Sequence, residues 1–177
     1  MKHKKPLVVN LIAGPGAGKS TTMAAVFAGL KWGGINCEMA AEYAKEKVWE
    51  ESFRTLDNQI YVFGKHHKLH RLASQVDCIV TDSPLFMSLV YGTGCSDTFR
   101  KLVLEEFEKY YNLNFFLTRT KRYNPKGRLQ TEEQAKELDA AMLSVLNQHQ
   151  QISYSTVPGN QYGAEHIVNT VLALLQD

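Results

Sequence analysis

Short apolar runs alternate along the chain with longer segments in which apolar residues recur every three or four positions. The runs are typical of buried strands and occupy residues 7–13, 35–40, 76–82, 113–117 and 152–157. The periodic segments predict helices at residues 18–32, 41–51, 56–74, 97–111 and 164–175, and a further one from residue 131. Strands that alternate with helices favour an α/β fold with three layers, in which helices cover both faces of a five-stranded parallel sheet.

Residues with strong backbone preferences mark several of the predicted helix ends. The pair Gly33-Gly34 suits the end of the first helix, and Thr55 is a candidate cap for the long helix at 56–74. Pro84 opens a short helix, and a capping box at 131–134 starts a helix of about four turns. The apolar face of the helix at 97–111 is expected to be buried and comprises Phe99, Leu102, Val103 and Phe107.

The composition fits a single domain over residues 1–177 with an ordinary hydrophobic content of 44%. The net charge of +2 is too small to argue for nucleic acid by itself. The three cysteines, Cys37, Cys78 and Cys95, lack metal-site spacing, so we expect reduced thiols and a cytoplasmic location. The apolar run behind the charged N-terminus is short and ends at a glycine, so we interpret it as a strand rather than a signal peptide. No segment approaches the length of a membrane span.

A glycine-rich loop follows the first predicted strand and carries the clearest chemistry in the sequence. Its residues are Gly14, Pro15, Gly16, Ala17, Gly18, Lys19, Ser20 and Thr21, with Ala13 where the usual pattern has its first glycine. Glycines let consecutive backbone N–H groups curl around phosphate oxygens, Lys19 would reach the β- and γ-phosphates, and the Ser20 hydroxyl would bind Mg²⁺. The helix that follows points its positive dipole end at the same anion. The loop therefore predicts a P-loop that binds ATP and Mg²⁺.

Two carboxylates follow other strands of the predicted sheet and are expected at the same rim. Asp82 ends the third strand, where it would hold Mg²⁺ or take a proton from an attacking hydroxyl. The alternative is that Asp82-Ser83-Pro84 simply starts the next helix. Glu42 follows the second strand and would accept a substrate hydroxyl, or it is only a helix-start glutamate that the dipole favours.

A basic segment at residues 118–130 follows the fourth strand and is called the lid below. Residues 118–128 contain five basic residues and no acidic one. An arginine that closes over the transferring phosphoryl group would stabilise its charge, and a mobile lid would exclude water. The candidates are Arg119, Arg122 and Arg128. A solvated turn and contact with a nucleic-acid backbone are the alternatives.

Three histidines lie close together in the long predicted helix, at His66, His67 and His70. His66 and His70 have the i, i+4 spacing of a helical metal site. Zinc needs a third ligand, and the sequence indicates none. We therefore expect exposed histidines that bind no metal.

The order of the motifs resembles that of the ribosylnicotinamide-kinase-like P-loop ATPases, a family that includes many short phage-encoded proteins. The resemblance spans residues 7–150 and rests on the glycine-rich loop, Glu42-Tyr43-Ala44-Lys45, Gln59, Thr81-Asp82-Ser83 and Tyr111-Asn112-Leu113. It implies a P-loop NTPase fold with the strand order of kinases. It also implies an acceptor site that includes Glu42, Tyr43, Lys45, Gln59 and Ser83. Lys45 stands where the bacterial relatives usually have arginine and cannot make the same bidentate contact, and the lid is longer than theirs.

The combined prediction is ATP-dependent phosphorylation of a small nucleoside-like or nucleotide acceptor. The adenine of ATP is expected near Val157 and Pro158. The acceptor is expected between Glu42, the helix of Gln59, and Asp82. The alternatives are a kinase that acts on DNA, at a modified base or a strand end, and a P-loop ATPase or nucleotide-dependent switch without kinase activity. We expect a monomer or a homodimer with no membrane partner.

Overall fold

A five-stranded parallel sheet forms the centre of the protein. The computed structural model describes residues 5–65, 67–92, 94–126 and 128–176. The strands are β1 (Leu7–Ile12), β2 (Cys37–Ala40), β3 (Cys78–Thr81), β4 (Tyr111–Thr118) and β5 (Ser155–Pro158). They are all parallel and lie in the order β2-β3-β1-β4-β5. Every residue of β1 is buried, because this strand lies in the middle of the sheet with neighbours on both sides.

Eight α-helices and one 3-10 helix connect the strands in the described part of the chain. The α-helices are α1 (Lys19–Trp32), α2 (Tyr43–Trp49), α3 (Gln59–Gly64), α4 (His67–Ala73), α5 (Met87–Tyr91), α6 (Asp97–Phe107), α7 (Glu132–Gln148) and α8 (Gln161–Gln176). The 3-10 helix spans Phe53–Asp57. None of the helices in the described residues is long and apolar enough to cross a membrane.

The core consists of two clusters, one on each face of the sheet. Val9 and Leu11 of β1 pack on one face in a cluster with Val26 of α1 and Ile167 of α8. The intervening residues of β1 point to the other face, where the cluster contains residues of α4, α5, α6 and α7. The predicted three-layer α/β fold, with a five-stranded parallel sheet between helices, is therefore confirmed.

Two features of the helix prediction are wrong. The segment 56–74 is not one helix, because the 3-10 helix contains Thr55 and α3 ends at Gly64. The cap of α3 is Asn58, whose side chain accepts a hydrogen bond from the Tyr61 N–H. Leu102 is 42% exposed, although the rest of the predicted apolar face of α6 is buried.

Several predicted helix ends coincide with the structure. Gly33 caps the end of α1, and α7 begins with a complete capping box between Thr131 and Gln134. Cys37 and Cys78 are buried, and both are free thiols. His66 and the side chains of His67 and His70 lie outside the described residues.

Candidate active site

The glycine-rich loop curls between the end of β1 and the start of α1. Gly16 and Gly18 have φ angles of 84° and 99°, a left-handed conformation in which a Cβ atom would be strained. The Lys19 Nζ donates a hydrogen bond to the Ala13 carbonyl at 2.7 Å and so spans the loop from its far end. The turn that the glycines permit and the position of the lysine together give the form of a phosphate-binding P-loop.

Ser20 and Asp82 form a direct hydrogen-bonded pair at the start of α1. The Ser20 hydroxyl donates to Asp82 Oδ2 at 2.8 Å, and the Glu42 N–H donates to Asp82 Oδ1 at 3.0 Å. The Lys45 Nζ donates to the Ser20 Oγ at 3.1 Å. The Asp82 side chain is 2% exposed, so the protein and not water holds it in this orientation.

The donor atoms of this pair fit Mg²⁺. A serine hydroxyl and a carboxylate are hard oxygen ligands, and Mg²⁺ usually takes only one or two protein ligands beside water and substrate phosphates. The described residues contain no group of three or more His, Cys, Asp or Glu side chains that would make an all-protein metal site. Ser20 and Asp82 are therefore the residues that would hold the ion.

Glu42 lies beside this pair, with its carboxyl group in a charged and dehydrated environment. Burial raises the pKa of Glu42, and the neighbouring Asp82 raises it further, while Lys19 and Lys45 lower it. Burial is the largest of these causes. A carboxyl group whose pKa is raised holds a proton more readily than an ordinary glutamate does, which suits a group that takes a proton from a substrate.

A cavity of about 490 Å³ opens between the P-loop and the segment from α2 to α3. Its P-loop residues are Pro15, Gly16, Gly18, Lys19, Ser20 and Thr21. The opposite side, called the α2–α3 wall, comprises Glu42, Ala44, Lys45, Val48, Trp49, Leu56, Gln59 and Val62. The remaining residues come from β3, α5 and the lid, and include Asp82, Ser83, Tyr91, Lys126 and Arg128. The volume is in the range of small-molecule sites.

The three candidate lid arginines occupy different places. Arg128 lines the cavity, and its guanidinium lies 5.5 Å from the centre of the Tyr123 ring. Arg122 is exposed and does not line the cavity. Arg119 is not part of the cavity lining, and it contacts the P-loop at the Pro15 carbonyl while its Nε donates to Asp139 at 2.8 Å.

Some predicted site residues do not line the cavity. The Tyr43 ring packs edge-to-face against Tyr61, with 6.1 Å between the ring centres. Val157 is buried in the core, and Pro158 is exposed. Gly14 and Ala17 belong to the glycine-rich loop but are buried, and neither of them lines the cavity.

Comparisons with known proteins identify the family and the fold of the chain. A family model described as an AAA domain matches residues 8–163. The chain belongs to this AAA domain family. The fold is similar to that of the NadR protein, whose crystal structure in complex with NAD and AMP-PNP aligns with a TM-score of 0.68 at 14% sequence identity. That alignment covers 94% of this chain and 49% of the other, so the chain spans about half the length of NadR. No curated protein sequence matches the chain.

The AAA domain also contains cavity and loop residues that the sequence patterns did not single out. Trp49 and Met87 line the cavity, as does Tyr91, whose pKa is raised by burial and by the carboxylates of Glu42 and Asp139. Asp139 lies on α7 and contacts the P-loop from outside the cavity. No local signal identifies Asp139, because its partners are distant in sequence.

Proposed function

We propose that this AAA domain is a kinase that transfers the γ-phosphoryl group of ATP to a hydroxyl group of a small nucleoside-like acceptor. The observation that carries the proposal is the position of Glu42. Its carboxyl group, with a raised pKa, lines the same cavity as Lys19 of the P-loop and lies next to Asp82. A nucleotide site and a candidate base therefore face the same cavity.

The charges of the α2–α3 wall favour a hydroxyl acceptor over a phosphate acceptor. Among the described residues of this wall, Lys45 is the only cation, and it is directed at the Ser20 hydroxyl. An acceptor phosphate would need several cations there, and Glu42 would repel it. An uncharged hydroxyl instead needs a group to take its proton.

The apolar part of the wall suits a flat ring. Val48, Leu56 and Val62 provide aliphatic contacts, and Gln59 supplies an amide among them. The Gln59 Nε2 donates to the Leu56 carbonyl at 2.8 Å, which fixes the orientation of this amide, and no donor to its oxygen is found among the described residues. A base or a pyridine ring combines the apolar faces and polar edge that such a wall would bind.

The roles of the residues follow from their positions. Bound Mg·ATP would supply the phosphoryl group and the metal's positive charge. Ser20 and Asp82 would hold the ion, and Lys19 would stabilise the β- and γ-phosphates. Glu42 would take the proton of the acceptor hydroxyl. The oxygen of that hydroxyl would attack the γ-phosphorus, and the bond between the γ-phosphorus and the β-phosphate oxygen would break to release ADP. Arg128, which lines the cavity from the lid, would stabilise the charge on the transferred group.

The experiment is an acceptor screen that measures ADP release from Mg·ATP and identifies the phosphorylated product by mass spectrometry. The panel contains nucleosides, nicotinamide riboside, the corresponding monophosphates, and single- and double-stranded DNA. We expect release that depends on a nucleoside and not on its monophosphate. Glu42→Gln should abolish that release, whereas Glu46→Gln, at an exposed position in the helix that follows Glu42, should not. Release that depends only on monophosphates and survives Glu42→Gln would contradict the proposal.

The end of a nucleic-acid strand is a second candidate acceptor. Trp49 lines the cavity and is 66% exposed, so it is placed to stack on a base outside it. Lys126 and Arg128 of the lid lie at the same cavity and would contact a strand backbone. DNA-dependent ADP release that is lost in Trp49→Ala would favour this acceptor. ATP binding without release by any member of the panel would favour a nucleotide-dependent switch.

A further inference from the structure

Asp139 contacts the P-loop and is not one of the residues that line the cavity. One carboxylate oxygen accepts a hydrogen bond from the Gly14 N–H, and the other accepts from the Arg119 Nε at 2.8 Å. The Asp139 and Arg119 side chains are only 17% and 16% exposed, so solvent screens this ion pair weakly. One carboxylate thus holds both the first amide of the loop and a cation from the start of the lid.

Arg119 uses its other donors to extend the connection. Its Nη1 donates to the Pro15 carbonyl at 2.7 Å, and its Nη2 donates to the Ala135 carbonyl at 3.1 Å. Ala135 is in the first turn of α7, immediately after the lid, while Arg119 is at the beginning of the lid. Both ends of the lid are therefore attached to each other and to the P-loop through one guanidinium group.

We propose that Asp139 is a positioning residue for the P-loop, and that Arg119 acts through Asp139 and the loop backbone rather than on the transferring phosphoryl group. The contacts hold both the N–H side and the carbonyl side of the Gly14-Pro15 segment. Phosphate binding by a loop depends on amides that are already oriented, since ordering them on binding would lower the affinity. Asp139 uses the Gly14 N–H and Arg119 holds the Pro15 carbonyl, so the backbone that leads to the following amides of the loop is fixed.

Charge explains why the two side chains occur together. A lone carboxylate outside the P-loop would repel the phosphates of a bound nucleotide. Arg119 pairs with this carboxylate at 2.8 Å and offsets its negative charge. The Gly14 N–H can therefore be held by Asp139 while the carboxylate repels a bound nucleotide much less. Arg119 is consequently needed mainly because Asp139 is present.

This dependence predicts a specific pattern in a double-mutant cycle. Arg119→Gln leaves the carboxylate unpaired and should weaken binding of Mg·AMP-PNP about tenfold or more, the loss of one charged hydrogen bond. Asp139→Asn keeps an acceptor for the Gly14 N–H and should weaken binding about threefold. The double variant should bind better than Arg119→Gln alone, because the repelling charge has been removed. Binding is measured by calorimetry, so the outcome does not depend on whether the protein is a kinase.

The controls separate this role from folding and from catalysis. Glu132→Gln removes an exposed ion pair with Lys136 from the same helix and should leave nucleotide binding unchanged. Thermal unfolding reports whether the glutamine variant folds, and Arg119→Lys replaces it if it does not. Arg119→Lys keeps the charge beside Asp139 but loses the separate donors to Pro15 and Ala135, so it should bind nucleotide better than Arg119→Gln and more weakly than the wild type.

The kinetic part of the test rests on the proposed kinase function. With ATP varied and the acceptor found by the screen held at saturation, Arg119→Gln should raise the KM for ATP and change kcat less than threefold. Arg128→Gln should do the reverse. A fall in kcat of about 1,000-fold in Arg119→Gln with unchanged KM, or a double variant weaker than both single variants, would overturn the inference.

Discussion

Replacing Asp82 by asparagine separates the chemical role of this residue from its structural role. Both carboxylate oxygens are used, one by the Ser20 hydroxyl and one by the Glu42 N–H. Asparagine retains one oxygen for the Glu42 N–H, and its amide group can donate to Ser20, whose hydroxyl can rotate to accept. The shape and the hydrogen bonds are therefore kept, and only the charge is lost.

The cost in stability should be small. Hydrogen bonds to a charged group contribute about 1.5–3 kcal/mol each, and neutral ones about 1 kcal/mol. The exchange therefore removes about 0.5–2 kcal/mol for each of two bonds, and part of this loss is offset because a neutral side chain is easier to bury. We expect a net loss of about 2 kcal/mol or less in the free energy of unfolding, or about 4–8 °C in Tm for a chain of this size.

The cost in activity should be much larger, because a neutral amide binds Mg²⁺ less tightly than a carboxylate does and cannot take a proton from an attacking hydroxyl. We expect acceptor-dependent ADP release to fall about 100-fold or more. The matched control is Asp77→Asn, an exposed aspartate just before the same strand. The assay is ADP release at saturating ATP, together with thermal unfolding of both variants. A rate in Asp82→Asn that equals that of Asp77→Asn would refute the assignment of Asp82 to the chemistry.

Three further predictions concern the loop and its neighbours. Gly159→Ala should lower Tm by several degrees and weaken ATP binding, because a Cβ atom at this position would lie 2.1 Å from the Ala17 carbonyl oxygen. The control is Gly94→Ala, where a Cβ atom would meet no atom within 4 Å. Lys19→Ala should abolish turnover while the circular dichroism spectrum and Tm stay near those of the wild type, and normal turnover would contradict the P-loop assignment. Burial raises the pKa of Glu42 in the folded state, so the folded state binds the proton more tightly than the unfolded state does. The free energy of unfolding should therefore fall as pH rises from the ordinary pKa of a glutamate to the raised pKa of Glu42. Denaturant titrations across pH should show that this fall is reduced in Glu42→Gln.

The P-loop and the strands around it could be predicted because their signals are local. The buried run of β1, the glycines after it and the periodicity of α1 all lie in one continuous stretch, residues 7–32. The segment 56–74 could not be predicted correctly, since its apolar periodicity continues across the Asn58 cap and across Gly64, where α3 ends. Intrinsic preferences of single residues are weak against such a pattern until the packing is known.

The contacts of the site depend on long-range packing and could not be predicted from local sequence patterns. Asp139 meets Gly14 across 125 positions of the chain and Arg119 across 20. The basic composition of the lid predicted cations near the nucleotide but did not rank its arginines. Their places follow from the path of the lid between β4 and α7, which brings Arg128 to the cavity and Arg119 to the Pro15 carbonyl of the loop.

The short segments that form the α2–α3 wall have a consequence for evolution. Helices α2 and α3 and the 3-10 helix between them contain no fully buried residue, whereas the P-loop joins a fully buried strand to a helix of the core. Substitutions in the wall should therefore cost little stability, while those around the loop should be costly. A chain built in this way can acquire a different substrate by mutation of one side of its cavity and keep its nucleotide chemistry. Relatives of this fold are thus expected to diverge first in what they modify, and last in how they hold phosphate.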